Sequence, residues 1–330
     1  MNLRDYLYKA AWFSPVRILL SWIYGSIIFS RNLLYDLGIF STIHIKTPVI
    51  SIGNITVGGS GKTVLTQALI EYYISRKMTP AVLSRGYGRL SKGLLVVADK
   101  SGLKTSPQAG GDEPYMIAHN YPGVPVLVSE DRVAGARYLE RHFEPDVILL
   151  DDGFQHRRMG RAFNILIIDS PDLAAEKLLP KGRLREPASS QKRADIVLFS
   201  KAGNRVETTF SLNLKQLPQV TDIDGNTLAL DHTITDLGLF AGIGNHQHFI
   251  DGILHFTQAL KAQLNFPDHV TYGKAEYTQI RQLNCSILVT TQKDMVKLDP
   301  DFCRENNIYY STLKVDLPSS LLERLKQNFN

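Results

Sequence analysis

The chain has 330 residues, enough for one large or two medium domains, and its 44% hydrophobic and 21% charged content are ordinary for a globular protein. A net charge of +5 fits an anionic partner such as a phosphorylated substrate or a membrane surface, and no nucleic-acid partner is expected. Two cysteines, Cys285 and Cys303, form neither a disulfide framework nor a metal-ligand spacing, which points to a reducing compartment.

Residues 12–40 are rich in apolar side chains, and over residues 1–40 Arg4, Lys9, Arg17 and Arg31 outnumber Asp5 and Asp36, with Trp12, Trp22, Tyr8 and Tyr24 among them. The uncharged run between Arg17 and Arg31 is shorter than the roughly twenty residues a spanning helix needs. Basic residues with interfacial aromatics describe a helix lying in a membrane surface, and burial against the protein's own core is the competing reading. Residues 1–46 are therefore expected to form a membrane-associated segment.

From Thr47 onward strands and helices alternate. The expected strands are 49–53, 81–84, 94–98, 125–129, 147–151, 164–169 and 196–201. The expected helices are 61–76, 113–120, 132–142 and one near 173–178. Continuous apolar strands read as buried parallel sheet, with ligands at the carboxyl ends of the strands.

The stretch Gly53-Asn54-Ile55-Thr56-Val57-Gly58-Gly59-Ser60-Gly61-Lys62-Thr63 leaves a buried strand and enters a helix. That is the layout of a phosphate loop, although Thr56 stands where the usual pattern has Gly. Loop N–H groups at Gly58, Gly59, Ser60 and Gly61 would surround phosphate oxygens. Lys62 would reach the β- and γ-phosphates and the Thr63 hydroxyl a Mg²⁺ ion. Val147–Asp151 followed by Asp152 has the shape of the partner element whose acidic tip reaches Mg²⁺. Arg85 and Arg89 sit in a glycine-flexed loop suited to phosphate capture. Asp112 and Glu113 open a helix, where Asp112 reads either as N-cap or as a general base. Gln155 and His156 follow Asp151 in a polar, basic loop.

Together these segments resemble the tetraacyldisaccharide 4′-kinase (lipid A 4′-kinase) family over nearly the whole chain. The resemblance rests on the apolar N-terminal segment, Gly53-Asn54 with the phosphate loop, Ser84–Arg89, Gly111–Pro114, Asp131-Arg132, Asp151–His156, Leu184–Pro187, Asp268-His269 and Lys293-Asp294. It implies transfer of the γ-phosphate of ATP to the 4′-hydroxyl of a tetraacylated glucosamine disaccharide 1-phosphate, at the cytoplasmic face of the bacterial inner membrane. It further implies Asp112 as base assisted by His269, and Asp151, Asp152 and Thr63 at Mg²⁺, with Glu113 and Glu186 as further metal candidates. Arg185 and Arg132 would meet phosphate groups, and Arg85, Arg89, Arg132, Asn54, Gln155 and His156 are expected on the substrate side. Lys181 and Arg183 depart from the family pattern, as does Gln292 before Lys293.

The expected fold is therefore α/β: a P-loop NTPase-like, doubly wound, mostly parallel sheet over 47–203, a two-stranded linker over 204–232 and a smaller α/β lobe over 233–330. In that lobe strands are expected at 237–243, 269–272, 287–291 and 308–314, and helices at 248–263, 276–283 and 319–329. The rival function is a P-loop GTPase or ATPase of the metallochaperone type. Against it, Thr291-Gln292-Lys293-Asp294 lacks the spacer of a guanine-selective element, and Val57 stands where that group carries an extra Lys. His246, His248 and His255 lack the neighbouring ligands a metal site needs.

Overall fold

The computed structural model describes residues 14–169, 172–173, 175–200, 210–257 and 260–329. In chain order its strands begin with β1 (Val49–Asn54), β2 (Pro80–Ser84), β3 (Leu95–Asp99), β4 (Gly102–Leu103), β5 (Val126–Val128), β6 (Val147–Asp151) and β7 (Phe163–Ile168). There follow β8 (Ile196–Phe199), β9 (Leu214–Asp222), β10 (Thr227–Ala229), β11 (Leu237–Ala241), β12 (Ala262–Asn265), β13 (Ile287–Thr291) and β14 (Ile308–Val315). The chain divides into two compact units. The first holds residues up to Lys62 with Val147–Leu212 and Leu317–Asn330, and the second holds Thr63–Asp146 and Asn213–Asp316.

In the first unit β6, β1, β7 and β8 lie side by side, all parallel. Every residue of β1, β6 and β7 is buried, which is why these strands are mostly apolar and do not alternate with polar residues. Beneath the loop that follows β1, Ile55, Phe154, Leu166, Ile168 and Leu184 form an apolar cluster.

The N-terminal helix of this unit, Ser14–Asp36, is 23 residues long, longer than its uncharged core suggests. By length and apolar content it could cross a membrane. One stripe of it nevertheless rests on the unit along most of its length. Arg17 donates to the carbonyls of Pro180 and Lys181, Ser21 Oγ to Leu178 O at 2.9 Å, and Tyr24 O–H to Arg185 O at 2.7 Å. Ile28 is buried and Arg31 pairs with Glu186, so the contact stripe recurs at helical spacing. The other faces are bare: Trp22 is 73% exposed, Phe29 65% and Ile27 61%.

In the second unit β2 pairs in parallel with β5, and β5, β3 and β4 continue antiparallel. A separate six-stranded sheet runs β10-β9-β14-β13-β11-β12. Its β14, β13, β11 and β12 are parallel, and β9 and β10 close one edge antiparallel. The strand pair within 204–232 forms the edge of this sheet, joined to β14 over Tyr309–Val315. Two apolar clusters belong to this sheet, one around Leu239, Ile250 and Ile253 and one around Phe240, Ile280 and Phe302.

Several expected elements differ. Residues 173–178 carry turns and no helix among the described positions. The helix expected over 248–263 is His246–Leu254, and β12 occupies part of its expected tail. Residues 269–272 form no strand, because His269 takes a left-handed φ of 60° that breaks extended backbone. The front of the linker expected over 204–232 lies outside the described residues.

Candidate active site

The loop after β1 is built for close approach. Gly58 has φ 124° and Gly61 φ 85°, conformations that L side chains rarely adopt. A Cβ on Gly58 would come within 3.3 Å of Arg183 Nη2, whereas one on Gly59 would meet nothing within 4 Å. The loop is braced from below. Asn54, fully buried, donates from Nδ2 to Ser60 Oγ at 3.0 Å, and its carbonyl accepts from Gln155 Nε2 at 2.7 Å. Arg183 donates to Val57 O at 3.1 Å and pairs with buried Asp169, which also accepts from Thr56 Oγ1. Asn54 and Gln155 therefore brace the loop, a role different from the substrate contacts expected of them. Arg183, one of the family departures, and Asp169 are members of this brace that the sequence did not single out.

At the loop's far end the helix Lys62–Ser75 begins. Lys62 Nζ stands 3.6 Å from Asp152 Oδ1, and Arg185 donates from Nη1 to both oxygens of Asp152, at 3.0 and 2.9 Å. Asp152 has φ 50°, a strained backbone of the kind that collects at functional sites. Asp151 beside it is the buried last residue of β6. Glu186 lies elsewhere. It is fully buried, with one oxygen on Arg31 and the other on Arg193. The metal role expected for it is set aside, because two guanidinium groups already occupy its carboxylate. His156 lies in the turn after Asp152, its N–H on Gly153 O at 2.9 Å.

The second unit holds Asp112 and His269. Gly111 is the N-cap of the helix Asp112–Asn120, so Asp112 is the first helical residue and not the cap. The Asp112 Oδ2 atom lies 3.1 Å from His269 Nδ1, which must donate because an ionised carboxylate only accepts. His269 Nε2 faces Asp268 Oδ2 at 3.8 Å, and Asp268 is paired with Lys293 at 3.0 Å. The Lys297 ammonium, 4% exposed, stands 3.6 Å from Asp112 Oδ2 and 2.8 Å from buried Asp294. Burial works against a charge on Asp112. The hydrogen bond from His269 and the ammonium groups of Lys297 and Lys293 outweigh it and hold the carboxyl below its ordinary range. Burial also works against the charge on Lys293, yet Glu113, Asp268 and Asp112 raise it above the usual range. The exposed ring of Tyr87 lies 5.5 Å from the His269 ring. Thr63 Oγ1 donates to Glu113 Oε2 at 3.3 Å.

The arginines expected on the substrate side separate. Arg85 is exposed at the end of β2. Arg89 is clasped by Glu130 at 2.6 Å and by Gly93 O, with its side chain 2% exposed, so its expected substrate contact is corrected to a structural one. Arg132 is buried at the start of the helix Arg132–Phe143 and donates to Glu130 O at 3.0 Å.

The residues around Lys62 and Thr63 suit a Mg²⁺ nucleotide. No group of three or more His, Cys, Asp or Glu close enough to hold a metal occurs among the described residues. Mg²⁺ needs no such cage, because it takes one or two carboxylates and completes its shell with phosphate oxygens and water.

The family model for tetraacyldisaccharide-1-P 4′-kinase (LpxK) matches residues 14–330. The chain belongs to this family. It is 36% identical over 302 residues to the tetraacyldisaccharide 4′-kinase of Chlorobium phaeobacteroides, covering 84% of this chain and 85% of that one. It is 34% identical over 316 residues to the Aquifex aeolicus tetraacyldisaccharide 4′-kinase, covering 93% and 95%. A crystal structure of LpxK from Aquifex aeolicus in complex with ATP superposes with a TM-score of 0.78 at 31% identity, over all of both chains. The resemblance drawn from the sequence motifs is thereby borne out, and the tetraacyldisaccharide 4′-kinase family displaces the metallochaperone-type alternative.

Proposed function

We propose that this kinase of the tetraacyldisaccharide 4′-kinase family divides its chemistry between the two groups of residues just described. Its activity is ATP-dependent transfer of a phosphoryl group to the 4′-hydroxyl of a tetraacylated glucosamine disaccharide 1-phosphate. In that transfer a bond forms from the acceptor oxygen to the γ-phosphorus, the bridge to the β-phosphate breaks, ADP leaves and the hydroxyl proton is lost.

The loop N–H groups of Gly58–Gly61 and the Lys62 ammonium bind the β- and γ-phosphates. Arg185 adds a guanidinium beside Asp152. Thr63, Asp151 and Asp152 would hold Mg²⁺, with Glu113 orienting the Thr63 hydroxyl. A Mg²⁺ ion held by these residues would supply charge neutralisation for the transferred group. Asp112 accepts the hydroxyl proton at a carboxylate oxygen. His269 orients that carboxylate by donating from Nδ1 to its Oδ2, leaving the other oxygen to take the proton. Arg85, with Tyr87 on the same loop, contacts the lipid's polar head.

The N-terminal helix lies in the cytoplasmic surface of the inner membrane. Support comes from the protein contact along Arg17–Arg31: one stripe of the helix lies against its own unit, while its exposed Trp22, Ile27 and Phe29 can enter the interface.

The observation that carries the residue assignment is the 3.1 Å hydrogen bond from His269 to a carboxylate that this bond, with Lys297 and Lys293, holds below its ordinary range against burial. Radiolabel transfer from γ-labelled ATP to a disaccharide lipid monophosphate tests it. The native protein should label the lipid and Asp112→Asn should not. Undiminished transfer by Asp112→Asn would remove Asp112 from the reaction.

A further inference from the structure

The first unit carries a second cluster of positive charge that the phosphate loop does not use. A cavity of about 280 Å³ is lined by Thr42, His44, Arg157, Arg161, Arg193 and Asp195, among others. These residues precede β1, β7 and β8, so the cavity lies at the amino-terminal edge of the parallel strands. The phosphate loop leaves the opposite, carboxyl edge.

Of the carboxylates near the cavity, Asp36 and Glu186 are ion-paired and Asp195 accepts a backbone hydrogen bond. Asp36 binds Arg157 at 2.6 Å, Asp195 Oδ2 accepts from Asn164 N at 2.7 Å, and both oxygens of Glu186 are on Arg31 and Arg193. The guanidinium groups are not used up. Arg161 Nη2 donates to Gly153 O at 2.8 Å, but Arg161 Nε and Arg193 Nη1 are buried without a hydrogen-bond partner in the protein. Buried N–H groups of this kind cost free energy unless an acceptor meets them. Burial first, then the charges of Arg193 and Arg157 against the counter-effect of Glu186, pull Arg161 down to about 10, still cationic at neutral pH.

A phosphate group answers each of these features. It supplies several acceptor oxygens, a charge that relieves the repulsion among the arginines, and a match to guanidinium geometry. The cavity is too small for a lipid disaccharide and large enough for a phosphate with its first ester substituent. The chain reaches it from the end of the N-terminal helix, where Leu37 is 63% exposed and Ile39 64%, a few residues before Thr42. We propose that the cavity framed by Arg157, Arg161 and Arg193 binds a phosphate oxyanion supplied by the headgroup of an anionic membrane phospholipid, at a site separate from that of the kinase substrates. Only the lipid source rests on the membrane-surface reading.

The test uses the full-length protein with ADP and Mg²⁺ saturating the phosphate loop. Partition is measured onto phosphatidylcholine vesicles with and without phosphatidylglycerol. In parallel, thermal unfolding is followed in inorganic phosphate against chloride at equal ionic strength. The anionic vesicles should bind the native protein more tightly, and Arg161→Gln should lose about fivefold of that excess while binding phosphatidylcholine unchanged. Inorganic phosphate should raise the unfolding midpoint of the native protein more than that of the variant. Stabilisation by phosphate without any preference for anionic vesicles would keep the anion site and overturn its lipid source. Equal responses of native protein and variant in both assays would overturn the proposal. If Arg161→Gln does not fold, competition on the native protein decides: inorganic phosphate should displace it from the anionic vesicles, and failure to do so counts against the site. Transfer to a detergent-dispersed substrate should be unchanged in Arg161→Gln, so a failure of the kinase reading would show separately, in the native protein's own transfer assay.

Discussion

Lys297 stands between two carboxylates, its ammonium 2.8 Å from Asp294 and 3.6 Å from Asp112. Replacing it with Met removes a charge that lowers the Asp112 pKa. The proposed base works only when ionised. Activity should therefore fall on the acid side as Asp112 takes up its proton, below the ordinary carboxylate range in the native enzyme. In Lys297→Met that acid limb should move to higher pH. The pH profile of kcat/KM checks this, and an unmoved limb would mean that Lys297 only packs. The variant also leaves Asp294 as a buried charge without Lys297. It should lose about 3 kcal/mol of stability, part of it recovered in Lys297→Met/Asp294→Asn.

Lys62→Ala should lose more activity than His269→Ala. Phosphoryl transfer depends chiefly on positioning and charge neutralisation, the role proposed for Lys62. Base assistance is worth about 10²–10⁴-fold, and His269 acts through Asp112. Steady-state kinetics with both substrates would show the order, and a reversed order would relocate the main catalytic contribution.

Glu186→Gln should damage the fold rather than nucleotide binding. The Glu186 side chain is fully buried between Arg31 and Arg193, and neutralising it leaves two guanidinium groups facing each other. A loss of about 3–5 kcal/mol is expected in denaturant unfolding, with KM for ATP within about twofold of native. A large rise in KM for ATP without loss of stability would restore the metal role set aside above.

Trp22→Glu with Ile27→Glu should release the protein from vesicles by at least about tenfold, because two apolar anchors become charges at lipid depth. Both positions are exposed, so the unfolding midpoint should hold. Retention on vesicles by a folded double variant would place the membrane contact elsewhere.

Much of the fold was legible because it is local. The apolar runs of β6 and β13 and the amphipathic helix Ser319–Phe329 fall at their expected positions. The loop Gly58–Thr63 was readable because its glycines and Lys-Thr are contiguous. What escaped depends on partners far away in sequence. Arg183 reads as a departure until Asp169 and Val57 are seen beside it. Glu186 reads as a metal candidate until Arg31, 155 residues earlier, is found on its carboxylate. Lys297 carried no motif at all. His269 sat in an apparent strand because Val270 and Tyr272 suggest alternation, whereas its left-handed backbone is set by tertiary context.

Tyr24 of the N-terminal helix donates to the carbonyl of Arg185, whose guanidinium holds Asp152 and whose N–H bonds to Ile55 O at 2.7 Å. The helix proposed to lie in the membrane surface is thereby fastened to residues proposed to receive nucleotide. An enzyme stripped of its amphiphile should grip ATP less firmly, so solubilising conditions become a variable in every nucleotide measurement. In the cell the same fastening would discourage idle ATP consumption by molecules that have drifted away from their substrate.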